Sequence, residues 1–75
     1  MEEYQDQRIG REIGGLTTGN VYQVTYNRIR YEGTLEGLEN NLLVLRSGKK
    51  VTNGHEDLVD RIEIPRRYAG RFEPL

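Results

Sequence analysis

Seventy-five residues, 35% of them hydrophobic and 31% charged, leave room for one domain. Its core alone is expected to stabilise it by only about 3–5 kcal/mol, so self-association is anticipated. The absence of cysteine excludes disulfides, thiolate metal sites and cysteine nucleophiles, and a net charge of −1 gives no global field toward nucleic acid, so any such binding needs a local basic patch.

In chain order, residues 2–12 pass from acidic Glu2 and Glu3 to basic Arg8 and Arg11, the order that complements a helix dipole, and Gly14-Gly15 supplies a stop. This predicts a short N-terminal helix that must lean on the remainder of the chain. Leu16 to Asn20 reads as a turn, and Val21 to Tyr26 as a first strand with Tyr22, Val24 and Tyr26 on one side. Asn27-Arg28 is a tight turn leading into the clearest strand pattern of the chain, Ile29 to Leu38. There Ile29, Tyr31, Gly33, Leu35 and Gly37 share one parity, and Arg28, Arg30, Glu32, Thr34 and Glu36 the other. Gly33 falls where a packed side chain would stand, which predicts a bend or a close backbone approach, the corner of a small barrel.

Glu39-Asn40-Asn41 supplies the next turn, and the continuous apolar run Leu42 to Leu45 predicts a strand covered on both faces. Ser47-Gly48-Lys49-Lys50 reads as a polar hairpin tip, Val51-Thr52 as a fourth strand cut short by Asn53-Gly54, and His55 to Asp57 as a loop. Leu58 to Ile64 forms the fifth strand, and Pro65 ends it. A single domain over 1–65 is thus expected, with 66–75 as a C-terminal tail. One short helix and five strongly bent strands are the elements of a mostly β, five-stranded barrel of SH3-like or OB-like size. Edge strands of such barrels are incompletely paired and invite a neighbouring subunit.

Catalytic chemistry finds little support. His55 stands beside Glu56 and Asp57, but three adjacent loop side chains do not converge on one metal ion, and no second histidine exists. Ser47 has no partner histidine nearby in sequence, and Gly48-Lys49-Lys50 lacks the upstream glycine and trailing hydroxyl of a phosphate loop. No enzyme activity, cofactor or metal is expected. Basic residues interleaved with aromatics are more suggestive: Arg28 and Arg30 on the outward face of the second strand, Lys49 and Lys50 at the hairpin, and Arg66, Arg67 and Arg71 flanking Tyr68 and Phe72. Arginine and lysine on phosphates, with bases stacked on rings or guanidinium planes, hold single strands without strict sequence readout. The competing reading is a solvated face of cross-strand ion pairs among Arg30, Glu32, Thr34 and Glu36.

From Leu16 to Arg67 the chain resembles the Sm/LSm/Hfq superfamily of ring-forming RNA-binding proteins. Asn27-Arg28-Ile29-Arg30-Tyr31-Glu32-Gly33-Thr34-Leu35 is similar to the first Sm motif, Glu36 to Glu39 to the stretch leading to its acidic position, and Val59 to Pro65 to the closing strand of the second motif. Arg28 stands where the family usually has glycine, and Asn41 where Hfq-type members have a stacking aromatic. The resemblance implies an Sm-like barrel, a homo-oligomeric ring of about five to seven subunits and single-stranded RNA, or DNA, as partner. It places Asn40, Asn41 and His55 at the pore and Arg28 and Arg30 more peripherally, with Lys49 and Lys50 as further contacts. Two other readings remain open. One is an SH3-like protein-interaction or structural module that docks a partner through an edge strand and the tail. The other is a PRC-barrel-like adaptor in which Ile9 to Ile13 is strand.

No apolar run approaches the ~20 residues that span a bilayer, and the acidic start differs from that of a signal peptide, so a soluble, cytoplasmic chain with no membrane partner is expected.

Overall fold

Three two-residue turns set the architecture. Asn27-Arg28, Asn40-Asn41 and Asn53-Gly54 all take positive φ, at 55° and 67°, 50° and 67°, and 52° and 79°. This is the hairpin turn whose twist matches that of the strands it joins, and asparagine tolerates it better than other side chains do.

The computed structural model describes residues 10–75. A small hairpin of β1 (Glu12–Ile13) and β2 (Leu16–Thr17) precedes β3 (Val21–Tyr26), β4 (Ile29–Glu39), β5 (Leu42–Thr52) and β6 (His55–Pro65). A 3₁₀ helix, Arg66–Arg71, then leads to β7 (Glu73–Pro74). The main sheet is antiparallel with strand order β6-β5-β4-β3-β7. The fold is therefore mostly β, as expected. Among the described residues no ladder joins β6 to β7, so the sheet is open where a closed barrel would have its last seam.

Two compensating register shifts bend the long strands. Between Glu32 and Thr34 the partner strand β5 advances from Lys49 to Arg46, one residue extra, and between Leu35 and Gly37 the extra residue lies on β4. Ser47, at φ 51°, occupies the first bulge. Here the strands approach so closely that a Cβ on Gly33 would lie 3.0 Å from Leu45 Cβ and 3.3 Å from Gly48 Cα. A Cβ on Gly48 would collide with the Glu32 carbonyl oxygen. Gly33 thus marks the close approach that its place in the strand pattern predicts.

The core lies on the concave side and comprises Ile13, Leu16, Tyr22, Val24, Leu35, Leu43, Leu45, Ile62, Ile64 and Phe72. Leu43, Val44 and Leu45 are all fully buried, as a strand covered on both faces requires. Tyr22 reaches across to the small hairpin, its hydroxyl accepting the Thr17 N–H at 2.8 Å.

Several local expectations give way. Ser47 to Lys50 is no hairpin tip: these residues lie inside β5, and the polar run reflects the bulge, while the chain reverses at Asn53-Gly54. Val51-Thr52 accordingly ends β5, and His55 opens β6 opposite Thr52 instead of sitting in a loop. The fifth strand of the sheet is β7. The last ten residues are not a loose tail: Phe72 is buried with its ring 6.0 Å from that of Tyr22, and Gln23 pairs with Glu73. A 3₁₀ turn and a two-residue strand are too short to print a periodicity.

The helix expected over 2–12 falls mainly on residues outside the described ones, whereas the strand alternative at Ile9 to Ile13 loses only Ile9 to them and is met at Glu12–Ile13. The end of the expected helix, residues 10–12, is not helical. Gly10 N–H bonds the Thr18 carbonyl at 2.9 Å, Arg11 N–H bonds Thr18 Oγ1 at 2.9 Å, and Glu12 belongs to β1. Among the described residues no helix is long and apolar enough to cross a membrane.

Candidate nucleic-acid interface

The meander distributes the seven residues singled out in the sequence over three places. Asn40 and Asn41 form the β4–β5 turn, both exposed. Arg28 is exposed in the β3–β4 turn, and at that same end of the strands Lys50 and His55, with Ile29, Asn53 and Asp57, line a shallow depression of about 490 Å³. Asn40-Asn41 and His55 therefore stand at opposite ends of β5 and are not brought together as the resemblance implies.

Arg30 and Lys49 occupy the outer face of the sheet, and both have acidic neighbours. Arg30 Nε is 3.4 Å from Glu32, and Lys49 Nζ is 3.4 Å from Glu56 and 3.7 Å from Glu32. For these two the solvated, ion-paired face is the better description.

A denser basic group lies where the sequence suggested a tail. Pro65 (φ −55°, ψ 140°) closes β6 and starts the 3₁₀ helix, which carries Arg66, Arg67, Tyr68 and Arg71. The helix is anchored at its start by the Arg66 N–H bonding the Asn41 carbonyl at 3.0 Å, which places it beside the Asn40-Asn41 turn. At its end the Phe72 N–H bonds the Ala69 carbonyl at 3.1 Å. Tyr68 packs edge-on against Tyr26 with ring centroids 4.9 Å apart. The guanidinium carbons of Arg67 and Arg71 lie 5.2 and 5.7 Å from the Tyr68 centroid, within cation–π range.

Among the described residues no carboxylate comes within 4.0 Å of Arg66, Arg67 or Arg71. Three guanidinium groups without acidic partners among the described residues, two of them (Arg67 and Arg71) over the Tyr68 ring and the third on Arg66 beside Asn41, can contact phosphates and offer planar cations to bases. The signal was present in the sequence as Arg66-Arg67-Tyr68 directly after a strand-ending proline. Without a period in the stretch, the sequence does not show that it folds into a helix beside Asn40-Asn41.

Arg61 has a different role. Its guanidinium donates to Glu63 at 2.8 Å from Nε and to Glu39 at 2.7 Å from Nη2. These hydrogen bonds, first to Glu39 and then to Glu63, raise its pKa well above the ordinary arginine value, so it stays charged at any working pH. The clamp ties the end of β4 to β6 across β5 and so positions the Asn40-Asn41 turn. Among the described residues no group of three His, Asp or Glu side chains has the arrangement of a metal site.

No protein family, no curated protein and no solved structure is matched by this chain.

Proposed function

We propose that the chain is an Sm-like module that binds single-stranded RNA or DNA as a homo-oligomeric ring, without chemistry of its own. The observation that carries this reading is the set of arginines with no acidic partner among the described residues, Arg67 and Arg71 over Tyr68 and Arg66 beside Asn40-Asn41. An Sm-like barrel is the finer form of the fold in this reading. The strand order, the two bulges that curl β4 and β5, and the 3₁₀ helix between the two edge strands support it.

The ring is supported by the two edges of the main sheet that no described strand pairs. On one side, β6 exposes Glu56, Asp57, Asp60 and Glu63. On the other, β7 follows the basic 3₁₀ helix. An acidic edge meeting a basic flank favours head-to-tail addition of copies over pairing of like edges, and head-to-tail contacts close into rings when the rotation permits. A ring of about five to seven subunits repeats each weak set of contacts by its subunit number. Binding in this reading rests on Asn40, Asn41, Arg66, Arg67, Tyr68 and Arg71, with Arg28, Lys50 and His55 forming a second, outlying patch.

Light scattering combined with retention of oligo-U and oligo-A at low salt tests the proposal. A ring mass with retained oligonucleotide is the expected result. A monomer at high micromolar concentration that retains neither oligonucleotide excludes it.

A second reading is favoured by one observation, the unpaired outer edge of the eleven-residue strand β6, which could accept an extended segment of a protein partner. In that case substituting Asn41, Arg66 and Arg67 leaves function intact, and blocking the β6 edge abolishes it.

A further inference from the structure

Among the described residues the large apolar side chains left exposed are Val21, Leu58 and Leu75, at 43, 92 and 63%. One such residue alone is ordinary, but these three gather at one place. Val21 and Leu58 line a hollow of about 180 Å³ together with Glu32, Gly33, Gly48 and Lys49. Leu75 donates its N–H to the Val21 carbonyl at 3.0 Å and so adjoins the same rim. Gly33 and Gly48, where β4 and β5 cross closely, lie on the floor of the hollow.

We propose that this outer face joins two copies of the chain about a two-fold axis, with Leu58 of each copy seated over the Gly33–Gly48 hollow of the other. A knob and a hollow on one face are what a self-complementary contact needs. The rim charges agree. Lys49, paired with Leu58 in the β5–β6 register, lies 3.4 Å from Glu56 and 3.7 Å from Glu32, so the rim carries both signs. Because these charges are paired within each copy, the rim presents no excess of either sign and sets no like-charge barrier to a second copy. Two-fold pairing along β6 instead would set Glu56, Asp57, Asp60 and Glu63 against their like, which disfavours that alternative. The contact uses the outer face next to the strand edges of the proposed ring, with the side chain of Leu58 on β6 but not the β6 backbone edge, so it doubles the unit those edges build.

Sedimentation equilibrium on the full chain, alongside the Leu58→Thr and Val21→Thr variants, tests the proposal. Leu58 is almost fully exposed, so its replacement leaves the thermal midpoint near that of the parent chain, and Val21→Thr provides a second reading should it not. The parent is expected to show twice the mass of Leu58→Thr at matched high micromolar concentration, with the dissociation constant of the variant at least about tenfold higher. Val21→Thr shifts the mass in the same direction. Equal masses for the parent and both variants overturn the proposal, whether the common unit is a ring or a monomer. In that event the hollow serves a foreign partner or none.

Discussion

Replacing Gly48 by alanine probes the crossing on which the bent sheet depends. The new Cβ would meet the Glu32 carbonyl oxygen and would stand 2.9 Å from Ile62 Cδ1. The isoleucine can turn aside, but the carbonyl belongs to the β4 backbone, so the bulge at Ser47 or the β4–β5 ladder must open. Overpacking that side chains can absorb costs about 1–3 kcal/mol, and a backbone collision belongs at or beyond the upper end of that range. With about 4–8 °C of midpoint lost per kcal/mol in a domain of this size, a fall of at least about 12 °C is expected. Gly37, on the neighbouring strand β4, is the control, because a Cβ there meets nothing within 4 Å. Gly37→Ala should stabilise the chain by about 0.5 kcal/mol. Urea and thermal unfolding followed by circular dichroism read both variants. Should Gly48→Ala unfold within about 1 kcal/mol of the parent, at or below the floor of the overpacking range, the close crossing of β4 and β5 is wrong.

Other substitutions test separate parts of the account. Arg28 holds φ 67° in a turn that glycine adopts freely, so Arg28→Gly should raise stability by about 1 kcal/mol in urea unfolding; a loss would mean that the arginine side chain makes an offsetting contact. Thr52 Oγ1 is buried with no hydrogen-bond partner, so Thr52→Val should stabilise by about 1 kcal/mol, and an unchanged or lower midpoint would show that the hydroxyl is satisfied. Arg61→Gln should leave the fold intact but speed amide exchange at the β4–β5 turn, since it unties Glu39 from β6. The folded pKa of Arg61 is raised, so its contribution is complete below the unfolded value and is lost only as pH climbs past the folded one. Protection at the turn should therefore not decline as pH is raised from neutrality to about 10.

How far the sequence disclosed the fold depended on the length of each element. Val21 to Tyr26 and Ile29 to Leu38 are long enough for alternation to register, and the structure keeps them as β3 and β4. Gly33 was conspicuous because it interrupted that alternation. Ser47-Gly48 misled because a bulge and a turn draw on the same small polar residues, and only the partner strand distinguishes them. Arg66 to Pro74 was illegible for the opposite reason: a 3₁₀ helix and a two-residue strand span less than one period of anything. That blind spot also displaced the candidate site. Arg30 lies beside Glu32 along its own strand and Lys49 faces Glu32 across the ladder, while Arg66 and Arg67, which the sequence places in a tail, have no acidic partner among the described residues.

The salt dependence of oligonucleotide affinity bears most directly on the central proposal. If Arg66, Arg67 and Arg71 each neutralise one phosphate, they contribute about −2 per bound subunit to the slope of log K against log salt, from roughly −0.7 per contact on a single strand. Replacing all three by glutamine should remove that share of the slope and weaken binding at low salt, compared at a concentration where the variant's oligomer mass equals that of the parent. A slope that survives the triple substitution, or the absence of oligonucleotide binding by the parent chain at low salt, would contradict the assignment of this face to nucleic acid.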